Sequence, residues 1–121
     1  MRISKILLAV AVSTTMLVAA AGASADGRSL KKNIKYLHVG DTYGVRVVPD
    51  VGIWANPDGC ADSSALVLPP DEPSFAELYS LLMAGHLQQR VVMATVSGCA
   101  DFAVNATTVN EYPRIIEVFL F

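Results

Sequence analysis

Residues 74–99 read SFAELYSLLMAGHLQQRVVMATVSGC, and two periodicities meet in them. Ser74-Phe75-Ala76-Glu77 has the form of a capping box, in which the serine hydroxyl accepts the N3 amide proton and the glutamate reaches back to the cap amide. Phe75, Leu78 and Leu82, and again Leu78, Leu81 and Gly85, follow the i, i+3, i+4, i+7 spacing of one buried helical stripe. The spacing predicts a helix from Phe75 to Gln88. Arg90 to Ser97 (RVVMATVS) is a β-branched run and predicts a strand that ends at Gly98-Cys99.

Working outward, the rest of the chain reads as β structure. Ile34 to Val39 (IKYLHV) alternates, placing Ile34, Tyr36 and His38 on one face and Lys35, Leu37 and Val39 on the other. Gly40-Asp41 signals a turn, and Tyr43 to Val48 (YGVRVV) completes a hairpin. Pro49 to Asp62 is rich in turn formers and reads as a long loop with a short β segment at Gly52 to Trp54. Ala65 to Leu68 (ALVL) is a third strand stopped by Pro69-Pro70, and Tyr112-Pro113 leads into a last strand from Ile115 to Phe121. The order β-β-β-α-β-β places the chain in the α+β class. It is the order of a small five-stranded OB-like barrel with its one helix between strands 3 and 4. An antiparallel sheet with the helix packed across it gives the same string.

The last strand is apolar on both faces, with Ile116, Val118 and Leu120 on one and Ile115, Phe119 and Phe121 on the other, broken only by Glu117. An edge strand exposed on one face would not read this way. Either it is central and covered on both sides, or Ile115, Phe119 and Phe121 meet another copy in a homo-oligomer.

The chain has two cysteines, and each sits in the same four letters, as PDGCADSS around Cys60 and VSGCADFA around Cys99. The similarity does not extend beyond those letters, so this is no internal repeat. A metal site from Cys60, Asp62, Cys99 and Asp101 lacks the closely spaced ligand pairs that zinc favours. An exported chain with an even cysteine count most simply forms a disulfide. Closing a loop of about 40 residues restricts the unfolded chain by roughly 4 kcal/mol.

Export is read from residues 1–25. Arg2 and Lys5 precede an apolar run from Ile6 to Ala21, and Ala23-Ser24-Ala25 offers small residues for cleavage before Asp26. The run is short for a bilayer span and holds Ser13, Thr14 and Thr15, so no membrane span remains after cleavage. Residues 26–121 then form a single disulfide-bonded domain, secreted or periplasmic. Of the nine basic residues, Arg2 and Lys5 leave with the leader, so seven face eleven acidic ones. That balance argues against nucleic acid as a partner. The basic cluster Arg28, Lys31, Lys32 and Lys35 reads as a solvated edge or a loose arm.

Phe75-Ala-Glu-Leu-Tyr-Ser-Leu-Leu-Met-Ala-Gly, then Arg90-Val-Val, a strand and Gly98-Cys99, resembles a pattern in small exported bacterial proteins of largely unknown function. Some of these are similar to the B subunits of pentameric A-B toxins of the subtilase cytotoxin kind. The resemblance covers about Cys60 to Cys99 and implies an OB-fold and binding of cell-surface glycans. It carries over no glycan-contacting residue.

Motifs for chemistry are sparse. His38 and His86 have no G-x-S-x-G nucleophile and no free thiol beside them once the disulfide forms. Neither a metal-ligand spacing nor a phosphate or dinucleotide loop is present, and no cofactor is expected. Glu72 and Glu77 flank the helix start, where negative charge is stabilising without catalysis. Candidate ligand contacts are Trp54, in a loop beside Asn56 and Asp58, together with Tyr43 and Arg46, which strand alternation places on opposite faces. Trp54 equally suits a plug at one end of a small barrel. The expectation is a non-enzymatic binding module that recognises a glycan or a protein partner. A small periplasmic hydrolase or an enzyme inhibitor is the alternative.

Overall fold

The computed structural model describes residues 27–121, so the leader assigned to residues 1–25 lies outside the described residues. The elements are β1 (Gly27–Arg28), β2 (Ile34–Gly40), β3 (Gly44–Pro49), β4 (Leu66–Leu68), α1 (Phe75–Leu87), β5 (Val92–Ala103) and β6 (Val109–Leu120). They form an α+β fold in which one helix accompanies a six-stranded sheet of order β1-β5-β6-β4-β3-β2. The sheet is mixed: β4 and β6 run parallel at Val67↔Arg114, and the other pairings are antiparallel. The order is open, with one more strand than the five-stranded barrel expected from sequence, because residues 27–28 pair with β5 before the chain turns into β2. Between those two pairings Lys32 bridges Val92, with amide-to-carbonyl bonds of 3.0 and 2.9 Å.

The β2–β3 hairpin forms where the alternation placed it. Gly44 sits at φ +88°, and a Cβ there would stand 2.1 Å from the Leu68 carbonyl oxygen, so only glycine fits this turn. An irregularity between Ile34 and Tyr36 shifts the parity of β2. Ile34 and Leu37 therefore serve the same core, where simple alternation had separated them.

Helix α1 ends one residue before the expected Gln88. Its capping box is not made: Ser74 has no side-chain cap bond, and the first turn is held by Phe75 N–H to the Glu72 carbonyl at 3.0 Å. The buried stripe is Leu78, Leu82 and Gly85, while Leu81 stays exposed. Gly85 lets the helix approach the sheet closely, since a Cβ would meet Val92 at 2.6 Å and Leu120 at 3.0 Å. Leu78 and Leu82 pack with Val45, Val47, Leu66, Leu68, Val96 and Ile115 in the main core.

The long hairpin departs most from expectation. β5 does not stop at Gly98-Cys99 but continues to Ala103, and β6 begins at Val109 rather than after Pro113. Gly98, at φ +69°, makes a bulge where the register shifts between Val96 and Cys99, and Pro113 pairs opposite Cys99. The two residues that read as terminators are the bend of a continuous ladder. Within β6, Ile115 pairs with Val96 and Glu117 with Thr95, so Ile116 is an extra residue and parity flips. Ile115 is consequently fully buried in the main core with Val118, and it leaves the set of candidate oligomer contacts. β6 is apolar on both faces because it lies between β5 and β4.

The expected β segment at Gly52 to Trp54 is absent. Trp54 is fixed instead by its amide bonding to the Ser63 carbonyl at 3.0 Å and by its indole N–H donating to the Val47 carbonyl at 3.1 Å. The basic N-terminal residues are an ordered strap rather than a loose arm. Arg28 lies 4.4 Å from the centre of the Phe119 ring, and Lys31 lies 4.2 Å from that of Phe121. Lys32 Nζ donates to the Val51 carbonyl at 2.8 Å.

Candidate functional site

Side chains alternate across a strand, so every core residue of β3 and β4 sends its neighbours to the outer face. Val45 and Val47 enter the main core, and Arg46 between them points away. Leu66 and Leu68 do the same on β4, and Val67 between them joins a second cluster with Ala65, Phe102 and Tyr112. Tyr43, Val48, Ala100 and Val104 pack against that cluster. Phe102 and Tyr112 reach it because the hairpin beyond the Gly98 bulge folds toward the outside of β2 and β3.

Arg46 is the polar centre of this face. Its Nε donates to His38 Nδ1 at 3.4 Å, and Nη2 donates to the Tyr36 hydroxyl at 3.4 Å while lying 3.3 Å from the same His38 nitrogen. The guanidinium lies 5.8, 5.9 and 6.0 Å from the ring centres of Tyr36, Phe102 and Tyr112, at the outer limit of cation–π contact. His38 meets Phe102 edge-on at 4.9 Å, and Tyr43 lies 6.0 Å from the same ring.

Beside this cluster opens a cleft of about 360 Å³ lined by Thr42, Tyr43, Pro69, Pro70, Asp71, Cys99, Ala100, Asp101 and Arg114. It is at the small end of the range for ligand pockets, about 300–1,000 Å³. Arg114 Nε donates to the Ser97 carbonyl at 3.3 Å, across the bulge.

Cys99 lines the cleft and is joined to Cys60 by a disulfide with Cα atoms 5.8 Å apart. The loop before Cys60 is fastened to the same bulge: Asp58 accepts from the Gly98 amide at 2.6 Å, and Asn56 exchanges two 2.8 Å bonds with the Cys60 backbone. The two GCAD strings differ in use. Asp62 accepts from the Ser64 amide at 2.8 Å and from Asn110 at 3.3 Å, whereas Asp101 lines the cleft. Sulfurs of Cys60 and Cys99 come within 4.8 Å of a Glu111 carboxylate oxygen, but they are joined to each other and offer no thiolate ligand.

Of the residues expected to contact a ligand, Tyr43 and Arg46 come together and Trp54 does not join them. Tyr43 belongs to the turn and not to the strand, so the alternation that separated it from Arg46 does not apply. Trp54 is 1 % exposed inside the main core, the plug that its loop position equally allowed. Sequence reasoning missed Tyr36, Phe102, Tyr112 and Arg114. Tyr36 reaches Arg46 across the β2–β3 hairpin, whereas only the pairing of distant strands brings Phe102 and Tyr112 to Arg46 and sets Arg114 two strands away, and no local pattern reports that pairing. His86 stands apart, with Nδ1 3.3 Å from the Ile34 carbonyl oxygen. No known protein family, curated protein or solved structure matches the chain.

Proposed function

We propose that the chain is an exported, non-enzymatic binding module built on an OB-like barrel, which takes a glycan or a protein partner on its outer face. The barrel reading is supported by strand path. Residues 27–32 run along β5 and residues 34–40 along β3, so one stretch of chain supplies both ends of the strand order. OB barrels bind ligands on the face of their second and third strands and on two adjacent loops. The matching parts here are β3, β4, the 41–43 turn and the 104–108 turn.

The observation that carries the binding reading is the placement of the cleft against Tyr43 and the Arg46 cluster on that face. An aromatic ring, one arginine, a threonine hydroxyl and two aspartates around a small cleft are groups that recognise polar ligands. Export is supported by the disulfide. It is also compatible with the finding that no helix among the described residues is long and apolar enough to cross a membrane.

A glycan array on residues 26–121, read with the solution mass, tests the proposal. Glycan binding that is lost in Tyr43→Ala supports it, and pentamers would strengthen the B-subunit-like version. A strict monomer that binds no glycan removes that version. Absence of any amide shift on the outer face with every glycan and protein probe removes the binding module altogether.

A further inference from the structure

Leu30, Val51, Ile53 and Leu87 are between 54 and 72 % exposed, and bonds among their segments gather them at one end of the sheet. The loop of residues 51–57 runs antiparallel to the N-terminal strap. Lys32 Nζ bonds to the Val51 carbonyl at 2.8 Å, and a Cβ on Gly27 would stand 3.0 Å from Pro57. Leu30 and Ile53 both lie between those two ties. Asn33 carries the patch on to the end of α1. Its carbonyl accepts from the Asp50 amide at 3.0 Å and its side chain donates to the Gln89 carbonyl at 3.0 Å, which sets the segments of Val51 and Leu87 on either side of it.

The same segments hold five of the seven lysines and arginines that follow residue 25: Arg28, Lys31, Lys32, Lys35 and Arg90. Their partners are rings and carbonyls, with Arg28 over Phe119, Lys31 over Phe121, Lys32 on Val51 and Arg90 on the Phe121 carbonyl, while Lys35 is exposed. Bonds and register bring two acidic residues beside them. Asp50 comes through Asn33, and Glu117 through the row Arg28↔Thr95↔Glu117. With Glu117 set against Arg28, four cations stand against one aspartate at this end of a chain whose formal charge is −2.

From this arrangement we infer that this end of the molecule docks peripherally on an anionic phospholipid bilayer. Leu30, Val51, Ile53 and Leu87 enter the boundary between headgroups and acyl chains, and the lysines rest on the headgroups. The surface is a different one from the outer face, and the cleft there shares none of these residues. Exposed apolar area rimmed by charge marks an interaction site, and its composition selects lipid over protein. Protein interfaces are depleted in lysine, and their energetic anchors are Trp, Tyr and Arg rather than Leu or Val. A bilayer takes the opposite set. Aliphatic side chains enter it without directional demands, and lysine lays its stem along apolar surface while its ammonium stays with the phosphates.

The test is co-sedimentation of residues 26–121, which carry every element of the fold, with phosphatidylglycerol-rich vesicles at low salt. Pure phosphatidylcholine vesicles are the control. Expected are partitioning onto the anionic vesicles alone, release by added salt, and amide broadening confined to residues 27–35, 50–53 and 86–91. Each lysine near an anionic surface contributes about fivefold in partitioning, the equivalent of about 1 kcal/mol, so Lys31→Gln combined with Lys35→Gln should weaken binding about 25-fold. Ile53→Ser and Leu87→Ser should each weaken it severalfold, with melting temperatures near wild type because both side chains are already exposed. Val109→Ser removes an equally exposed aliphatic at the far end of the β5–β6 hairpin and should bind as wild type. Free glycerophosphoglycerol should not displace the protein, since a headgroup without its bilayer gives the aliphatic side chains nothing to enter. No sedimentation with anionic vesicles, equal sedimentation with phosphatidylcholine, unaltered binding in the lysine pair or in Ile53→Ser, or displacement by the free headgroup overturns the inference. A solution dimer that Ile53→Ser dissolves, in place of vesicle binding, assigns the patch to a second copy and overturns it as well.

Discussion

The two faces of β3 and β4 come from the same few residues yet are built to different plans. Toward α1 the sheet presents Val45, Val47, Leu66 and Leu68, joined by Trp54 and the helical leucines, nearly all aliphatic and fully covered. Away from α1 it presents Arg46 and Val67 under a layer of His38, Tyr36, Phe102 and Tyr112. The inner face excludes water with groups that make no directional demands. The outer face keeps donors and rings that do. Alternation thus puts the apolar core and the proposed recognition face one residue apart, and substitutions on the two sides should behave differently.

Trp54→Ala should break the inner side most severely, by about 3–5 kcal/mol in urea unfolding, because it removes the largest buried side chain and leaves the Val47 carbonyl without its donor. A loss below about 1 kcal/mol would mean that the core does not depend on this plug. Reduction of Cys60–Cys99 comes next, at about 4 kcal/mol from loop closure, read as a fall in the melting midpoint with reductant. Since the bridge holds the loop before β4 to the bulge of the outer layer, hydrogen exchange should rise first in residues 99–113. An unchanged midpoint after full reduction would sink this assignment.

Arg46→Gln should cost stability only slightly, about 0.5–1 kcal/mol for distant cation–π contacts on a half-buried side chain, while it abolishes most outer-face binding. A destabilisation as large as that of Trp54→Ala would recast Arg46 as core. Smallest of all, Ser74→Ala should change stability by a few tenths of a kcal/mol at most. A serine whose hydroxyl caps its helix contributes typically about 1 kcal/mol, and this one makes no such bond.

Sequence carried the local elements well and the non-local ones poorly. The helix was legible from Leu78, Leu82 and Gly85, and the first hairpin from alternation about Gly40-Asp41, because both signals lie within one or two turns of chain. Gly98 and Pro113 misled, since a breaker residue marks a strand end and a bulge equally well until its partner strand is known. Ile116 did the same inside β6, where one extra residue exchanged the inner and outer faces of Ile115 and its neighbours. The pairing of Val67 with Arg114 is parallel and spans the whole helix, so nothing near either residue announces it. The disulfide was legible by elimination among three chemistries. Of the proposed ligand face, only Tyr43 and Arg46 were named from sequence.

The strap that places Lys31 over Phe121, with Arg28 over Phe119, brings the first described residues and the last ones to the same end of the sheet, on either side of β5. Arg90 and Val91 hold Phe121 there too, at 2.7 and 2.9 Å. Neighbouring termini permit circular permutation. A short linker from Phe121 to Gly27, with new ends opened in the exposed 104–108 turn, would keep every strand pairing while cutting the connection between β5 and β6. In such a permutant the disulfide would remain as a covalent link across the sheet, and the outer face would lie next to a free terminus onto which a reporter or a partner peptide could be fused.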